Sequence, residues 1–270
     1  MMEKEIAIVD AFTGKPFTGN PAAVCLTPEP LEEAMMQKIA AEFNLSETAF
    51  IVPRKDQGES YHIRYFTPST EISFCGHATL GSFRFLFNKK GSDAAEFLTG
   101  SGLHLSGKKR GDEIEMLFPL FTTEMTTVPQ GMKEALGISR IHDCGYCHET
   151  GMILIEITNP EELRKLTPDP RYLKATTENC NSVIITSPSD VKEYHFLSRC
   201  FAPWVGIDED PVTGSAHSVL AKWWSDRLGK EELRACQVSR RGGEMKLRIT
   251  GTDTLEVTAS AVVVVEGKMR

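Results

Sequence analysis

Two short segments, one in each half of the chain, repeat one another. Gly76-His-Ala-Thr-Leu80 opens a largely apolar helical stretch, and Gly214-Ser-Ala-His-Ser-Val-Leu220 opens another 138 residues later. Acidic residues precede both segments, Glu71 in the first half and Glu209 with Asp210 in the second. Because this spacing is close to half of the 270 residues, the pattern predicts two similar α+β lobes, each with an enclosed helix. The alternative is a chance similarity between two common helix openings.

Hydrophobic periodicity places further elements around both segments. Apolar residues at helical spacing predict helices over 31–43, 78–87 and 215–228, with shorter helical stretches near 132–136 and from Glu161. Alternating or continuous apolar runs predict strands near 6–9, 22–26, 48–52, 61–66, 95–98, 114–118, 152–157, 182–186, 194–201 and 261–265. Residues 208–214 are predicted to form a turn. The helix over 78–87 has apolar residues on nearly all sides, so we expect it to be enclosed.

The charge and composition of the chain exclude several classes of partner. The formal net charge is −7 and the densest basic run is Lys108-Lys109-Arg110, so neither nucleic acid nor an anionic membrane is expected as a partner. The N-terminus lacks the basic and apolar regions of a signal peptide, and no apolar run approaches the roughly 18 residues of a membrane span. With no export signal, the seven scattered cysteines are predicted to be reduced thiols and the protein to be cytoplasmic.

The two helix openings are candidates for binding an anion. The first turn of a helix leaves backbone N–H groups unpaired, and the helix dipole favours negative charge there. Gly76 and Gly214 would let a ligand approach the backbone closely. Two such openings facing one another would make a carboxylate clamp, or would stabilise a developing enolate. The alternative is that each is an ordinary helix start.

Four side chains are candidates for acid–base chemistry. Glu47 precedes an apolar strand, where loss of hydration would raise its pKa toward that of a useful base. His77 is suited to binding a carboxylate or to titrating near neutral pH, and Cys75 stands before a helix N-terminus, which favours a thiolate. Asp210 lies before the second opening. For each residue the alternative is structural: a solvated carboxylate, a helix-start histidine, a buried thiol or a plain turn residue.

The sequence lacks the common cofactor motifs. It contains no GxGxxG, Walker loop, HExxH or GxSxG pattern, so it indicates no nucleotide cofactor, catalytic metal or hydrolase nucleophile. Cys144-Gly-Tyr-Cys147-His148 has the spacing of haem attachment, but that attachment occurs on exported chains. We therefore predict no cofactor and no metal.

Six motifs in order carry a family resemblance. They are Asp10-Ala-Phe-Thr, Gly19-Asn-Pro-Ala-Ala-Val24, Asn44-Leu-Ser-Glu-Thr48, Arg64-Tyr-Phe-Thr-Pro68, Cys75-Gly-His-Ala-Thr79 and Glu209-Asp-Pro-Val-Thr-Gly-Ser-Ala-His217. From residue 6 to about residue 266, the chain resembles the PhzF (phenazine-biosynthesis-like) family, which is related in fold to diaminopimelate epimerase. The stretch 201–206 and Trp223-Trp224 most resemble the animal phenazine-biosynthesis-like-domain proteins.

The resemblance implies an α+β fold of two pseudo-symmetric lobes. Each lobe would be a curved sheet wrapped around a central helix, with the active site in the cleft between the lobes. Residues 1–122 together with 260–270 would form the N-terminal lobe, because the last strand returns to it in relatives, and 123–259 would form the C-terminal lobe. A homodimer is expected by analogy.

The resemblance also implies roles for individual residues. The family's characterised isomerase uses the glutamate of the Leu-Ser-Glu motif as its acid/base, which is Glu47 here. Its catalytic histidine and aspartate correspond to His77 and Asp210. Ser46 and Cys75 are expected to contact the substrate. A substrate carboxylate would be held by the backbone N–H groups of Gly76, His77, Gly214 and Ser215.

One departure from the related epimerases decides between mechanisms. Those enzymes use two opposed cysteines; the first falls on Cys75, but the second falls on Pro211, which has no proton to exchange. We therefore predict a cofactor-independent biosynthetic isomerase that moves a proton within a small carboxylate-containing metabolite, with Glu47 as the acid/base. The alternatives are an amino-acid racemase or epimerase that uses Glu47 and Cys75, and a non-catalytic interaction protein with the same fold.

Overall fold

A computed structural model describes residues 4–55 and 58–270 of the chain. These residues gather into two compact units. The first contains the described residues up to Phe118 together with Glu256–Arg270, and the second is Pro119–Leu255. Each unit has a mixed β-sheet and a long buried helix of its own.

The first unit consists of β-strands interrupted by two helices. In chain order its elements are β1 Lys4–Ala11, β2 Asn20–Leu26, α1 Glu33–Phe43, β3 Thr48–Pro53, β4 Ser60–Phe66, β5 Glu71–Ile72, α2 Gly76–Lys90, β6 Ala94–Thr99, β7 His104–Arg110 and β8 Glu113–Pro119. β1 is antiparallel to β2, β2 is parallel to β3, and β3 is antiparallel to β4. After α2, β6 lies parallel to β4, and β7 and β8 follow in antiparallel order.

The second unit follows with shorter helices and one long one. Its elements are β9 Glu124–Met125, α3 Met132–Leu136, β10 Asp143–Cys147, β11 Met152–Glu156, α4 Pro160–Lys165, α5 Pro170–Lys174, β12 Ser182–Pro188, β13 Phe196–Ala202, β14 Ile207–Asp210, α6 Gly214–Leu228, β15 Glu232–Gln237 and β16 Gly243–Ile249. The last strand, β17 (Thr254–Met269), belongs mostly to the first unit, where it is antiparallel to β1.

The two units repeat one order of elements. In the second unit β10 and β11 are antiparallel, β12 is parallel to β11, and β13 and β14 follow in antiparallel order. α6 then leads to β15, parallel to β13, just as α2 leads to β6, parallel to β4. A two-point ion pair also recurs, between Arg64 and Glu71 and between Arg199 and Glu209, with nitrogen–oxygen distances of 2.6 to 2.8 Å. The repeat predicted from the sequence is therefore a repeat of structure.

Helix α2 is enclosed by its own unit, as predicted. Residues 76–87 are all buried, and the helix packs against β1, β2, β3 and β7. A small residue permits the close approach, because a Cβ on Gly81 would lie 3.3 Å from the Cβ of Val9. α2 and α6 each have 15 residues and end at a left-handed glycine, Gly91 and Gly229. Within residues 4–55 and 58–270, no helix is long and apolar enough to cross a membrane.

The sequence prediction is wrong at one turn and misses the strands β7 and β10, besides the two-residue strands β5 and β9. A plain turn over 208–214 is not found, because β14 occupies Ile207–Asp210 and Asp210 pairs with Cys200 of β13. Strands β7 and β10 lack a clear apolar alternation. Both contain a glycine at a paired position, Gly107 opposite Met116 and Gly145 opposite Leu154. These segments become strands because they pair with neighbouring strands, and their own sequences do not indicate it.

Candidate active site

The first unit brings three predicted site residues together at the start of α2. Glu47 lies just before β3, Cys75 just before α2, and His77 is the second residue of that helix. Glu47 Oε2 lies 3.0 Å from His77 Nε2, and Cys75 Sγ lies 3.3 Å from His77 Nδ1. Glu47, Cys75 and His77 are only 8%, 7% and 6% exposed. We call these three residues the Glu47 cluster.

The local fold explains why Glu47 reaches this position. Helix α1 ends at Phe43 and is capped by Asn44, whose left-handed backbone (φ 52°) turns the chain and whose N–H donates to the carbonyl of Ala40. The backbone of Glu47 is then fixed against β2, because the Ala23 N–H donates to its carbonyl at 3.1 Å. The backbone that carries the Glu47 carboxylate is thus fixed by a helix cap before it and by a sheet hydrogen bond at Glu47 itself.

Two polar side chains complete the surroundings of His77. Ser46 Oγ lies 3.4 Å from Nε2, and Asn20 Nδ2 lies 3.3 Å from Nδ1. Ser46 is a predicted site residue, whereas Asn20 was not predicted to belong to the site. The motif that contains Asn20 indicated the family resemblance, but it carries no sign of a contact with His77, which lies 57 residues further along the chain. The preceding turn requires Gly19, which has φ +68° and whose Cβ would lie 2.2 Å from the carbonyl oxygen of Ala11.

The pKa of Glu47 is shifted in the direction opposite to the sequence prediction. Burial alone would raise it, as predicted. However, the positive charge of His77 and hydrogen bonds to His77, Ser46 and Cys75 outweigh burial, so the pKa lies below its ordinary value of 4.5. The prediction is wrong because the deciding partner lies 30 residues further along the chain. At neutral pH, Glu47 is therefore a carboxylate, the form that accepts a proton.

The other two members of the cluster hold complementary protonation states. Burial alone would lower the pKa of His77, but the negative charge of Glu47 at 3.0 Å and hydrogen bonds to Cys75 and Glu47 raise that pKa well above 6.5. Burial raises the pKa of Cys75, so this residue is a neutral thiol at neutral pH. The cluster thus combines a carboxylate, an imidazolium and a thiol. One donor atom from each lies within 4.8 Å of the others, close enough to share a metal ion.

The start of α2 presents backbone donors beside this cluster. Cys75 is extended (φ −147°, ψ 114°), and its side chain makes no capping hydrogen bond. The first intrahelical bond runs from the Thr79 N–H to the Cys75 carbonyl at 3.0 Å. The N–H groups of Gly76 and His77 therefore have no acceptor within the helix, as is general for a first turn. They are the donors that the sequence analysis expected to hold a carboxylate.

The second unit places the remaining predicted residues at the equivalent helix start. Asp210 ends β14, and Gly214 and Ser215 begin α6. Asp210 accepts a short hydrogen bond from the Thr213 hydroxyl. Gln237, which sequence analysis missed, holds the turn from β15, donating to the Asp210 carbonyl at 2.7 Å and accepting from the Thr213 N–H at 3.0 Å.

Two buried titratable groups flank this second turn, and both are neutral at neutral pH. His217 Nδ1 donates to the Thr213 carbonyl at 2.8 Å, and burial lowers the pKa of His217 to about 4. Burial raises the pKa of Cys200 to about 12. Thr213 occupies the position before α6 that Cys75 occupies before α2. Neither Thr213 nor Pro211 supplies a second opposed thiol.

We expect the two helix-start histidines to titrate far apart. His77 should stay protonated well above pH 6.5, because its neighbours stabilise the imidazolium, whereas buried His217 should stay neutral down to about pH 4. Nitrogen-15 NMR of histidine-labelled protein measures both midpoints, and His77→Gln and His217→Gln assign the signals. In Glu47→Gln, the His77 midpoint should fall. A wild-type His77 midpoint at or below 6.5 would contradict the ion pair.

The same shifts define the pH range in which the ion pair stabilises the fold. The contribution of His77 is fully present below its unfolded pKa of 6.5 and is lost as pH rises through the higher folded pKa. The contribution of Glu47 is present above 4.5 and is lost as pH falls through its lower folded pKa. The pair therefore stabilises the protein most between about pH 4.5 and 6.5, where both contributions are fully present, and less on either side of that range.

The fold is that of isomerases and epimerases related to diaminopimelate epimerase. A PhzF-family crystal structure from Enterococcus faecalis superposes with a TM-score of 0.91 at 36% identity and covers 100% of both chains. A hydroxyproline epimerase from Agrobacterium vitis shares the fold, with a TM-score of 0.60 over 99% of this chain and 92% of its own, at 10% identity. The predicted α+β fold with two similar lobes is confirmed.

Sequence comparison then defines the family. The phenazine biosynthesis-like protein family (PhzC-PhzF) matches residues 9–267. An uncharacterised isomerase of Halalkalibacterium halodurans is 40% identical over 273 residues, 100% of this chain and 99% of the relative. Phenazine biosynthesis-like domain-containing protein 2 of Mus musculus is 39% identical over 287 residues, 99% of each. The chain belongs to the phenazine biosynthesis-like (PhzF) family, so the predicted resemblance is confirmed. Family and fold support an isomerase or epimerase function.

Proposed function

We propose that the protein is an isomerase that moves a proton within a small carboxylate-containing metabolite, with Glu47 as the acid/base. The observation that carries the proposal is the ionised Glu47 carboxylate, 3.0 Å from His77 Nε2 and largely shielded from water. Such a carboxylate is in the form that accepts a proton, although its lowered pKa makes it a weaker base than an unpaired glutamate. Because its pKa is low, its protonated form returns the proton readily.

The negative charge that develops on the substrate also needs stabilisation. Removal of a C–H proton leaves an electron pair that spreads onto the neighbouring carboxylate of the substrate. The N–H groups of Gly76 and His77, together with the imidazolium of His77, are preorganised donors for this charge. In the second unit the equivalent donors are the N–H groups of Gly214 and Ser215, near Asp210 in the chain. That these three residues bind the substrate stays a prediction.

The proposed reaction is balanced without any further group. The electrons of the broken C–H bond stay on the substrate, shift the double bond, and accept the proton again at another carbon. No atom is gained or lost and no oxidation state changes overall, so the proposal includes neither an organic cofactor nor a metal. Ser46 and Cys75, both beside His77, are proposed to contact the bound substrate.

A racemase or epimerase that uses Glu47 and Cys75 is the second candidate. The observation in its favour is the 3.3 Å distance between Cys75 Sγ and His77 Nδ1, at which the imidazolium would stabilise a Cys75 thiolate. The observation against it is that burial raises the pKa of Cys75 and so disfavours the thiolate. We therefore place it second.

An isotope experiment separates the two candidates. Small carboxylates that raise the melting temperature of the protein are incubated with it, each labelled with deuterium at the acidic carbon. With a single base, part of the deuterium should reappear at a new carbon of the product. With two bases, the product should instead be inverted at one stereocentre and carry hydrogen from water. Mass spectrometry and chiral chromatography distinguish these results, and inversion with complete loss of label would refute the one-base proposal.

A further inference from the structure

We propose that the Glu47 cluster is a binding site for a zinc ion, and that zinc bound there switches the enzyme off by occupying its base. The three side chains offer a carboxylate, a thiolate and an imidazole, each of which is an established zinc ligand. Zinc binding is a property of the cluster itself. The inhibition rests on the proposed function, because only that function requires a free Glu47 carboxylate.

The three donor atoms lie close to one another, although the Cys75 sulfur is nearer to Nδ1 of His77, at 3.3 Å, than to Nε2. Glu47 Oε2 lies 3.0 Å and Cys75 Sγ 3.8 Å from His77 Nε2, and the three donors lie within 4.8 Å of one another. With zinc–ligand bonds of about 2.0–2.3 Å, neighbouring donors in a tetrahedral site lie about 3.4–3.6 Å apart. Closing the site around an ion on Nε2 would therefore require the Cys75 side chain to turn from the Nδ1 side of the ring toward Nε2, with a smaller adjustment of Glu47.

The surroundings of His77 supply the outer partner that a zinc-bound histidine needs. Such a histidine usually hydrogen-bonds through its second nitrogen, which fixes the orientation of the ring. Coordination through Nε2 leaves Nδ1 facing the Asn20 amide at 3.3 Å. Asn20 is fully buried and begins β2, so the partner stands on the sheet and not on a mobile loop. Rotation of its amide would present the oxygen to the Nδ1–H.

The site would have three protein ligands and one open position, the arrangement of zinc sites that keep an exchangeable ligand. A thiolate and an imidazole select zinc over magnesium and calcium, which prefer oxygen ligands. On binding, the thiol and the imidazolium would each release a proton to solvent. Glu47, now bonded to the metal, would no longer accept a proton from a substrate.

Direct binding measurements test the site without reference to turnover. The reduced full chain, freed of chelator, is titrated with Zn²⁺ by calorimetry and with Co²⁺ by absorption spectroscopy. We expect one ion per chain, and for Co²⁺ both a thiolate-to-metal charge-transfer band and the intense visible bands of a tetrahedral site. Mg²⁺ should give no binding heat. Failure of the wild-type chain to bind a stoichiometric ion overturns the proposal.

Matched cysteine variants locate the ion. Cys75→Ala, or Cys75→Ser if the alanine variant does not fold, should bind Zn²⁺ about 100-fold more weakly and lose the charge-transfer band. Asn20→Ala should weaken binding by about 10–100-fold, as expected for an outer partner. Cys25→Ala removes a fully buried thiol of the same unit that packs in a separate apolar cluster, and should bind as the wild type does. Equal affinity in Cys75→Ala and the wild type would refute the site.

Inhibition is measured in parallel, so that this inference and the proposed function can fail separately. Zn²⁺ should inhibit the wild-type and Cys25→Ala proteins, while Cys75→Ala should keep a weakened turnover that zinc no longer inhibits. If zinc binds as described but Glu47→Gln keeps full turnover, the proposed function fails and the site stands. If Glu47→Gln is inactive but the wild type binds no zinc, the inference fails and the proposed function stands.

Discussion

Replacing Glu47 by glutamine is expected to lower turnover by about 10³-fold while leaving ligand binding nearly unchanged. The amide has almost the same size as the carboxylate but cannot accept a proton. The backbone donors at the start of α2 are untouched, so a carboxylate ligand should still raise the melting temperature of the variant. The loss should therefore fall on kcat and not on KM. Steady-state kinetics and deuterium exchange from D₂O into the substrate measure both.

A glutamate outside the cluster provides the control. Glu33 lies in the first turn of α1 with its side chain 70% exposed, and it contacts only the partly exposed Arg64 among the ion pairs between described residues. Glu33→Gln should keep turnover within about twofold, since surface substitutions of this kind have small effects. If Glu47→Gln kept full turnover and full exchange of solvent deuterium, Glu47 would not be the base.

The parts of the fold that were predictable depend on short stretches of sequence. The apolar residues of α2 indicate enclosure without reference to any partner, and all of residues 76–87 are indeed buried. The glycine openings at 76 and 214 mark equivalent helix starts for the same reason. Strand β14 was not predictable, because Asp210 becomes part of a strand only by pairing with Cys200. β7 likewise depends on the pairing of Gly107 with Met116.

The site shows the same division between local and distant information. Motif order led to Glu47, Cys75 and His77, and the structure brings these residues together in the first unit. The direction of the Glu47 pKa could not be read from its apolar neighbours, because the imidazolium that decides it belongs to another element. Asn20 contacts the same imidazole from β2, and its own sequence context carries no sign of that contact.

The second large effect is expected for Gly107→Ala, which should lower the free energy of unfolding by about 2–3 kcal/mol. Gly107 is a buried residue of β7 with ordinary backbone angles, so backbone strain is not the cause. A Cβ there would lie 2.6 Å from the face of the Phe83 ring. Phe83 is fully buried and stacks on Phe97 with ring centroids 4.3 Å apart, so the ring has no room to retreat. Urea unfolding measures the loss, and thermal unfolding should show a fall of roughly 5–10 °C.

A second substitution tests whether that ring contact is the cause. Phe83→Leu removes the ring face, so Gly107→Ala should cost at least about 1 kcal/mol less in the Phe83→Leu background than in the wild type. Gly267→Ala is the matched control, because Gly267 is also a strand residue but is exposed, and a Cβ there meets nothing within 4 Å. It should change stability by less than about 0.5 kcal/mol. Two results would contradict this explanation. Gly107→Ala could lower the free energy of unfolding no more than Gly267→Ala does, or it could lower it equally in the wild type and in Phe83→Leu. In either case, the close packing of Phe83 of α2 on Gly107 of β7 would not be what stabilises the helix against its sheet.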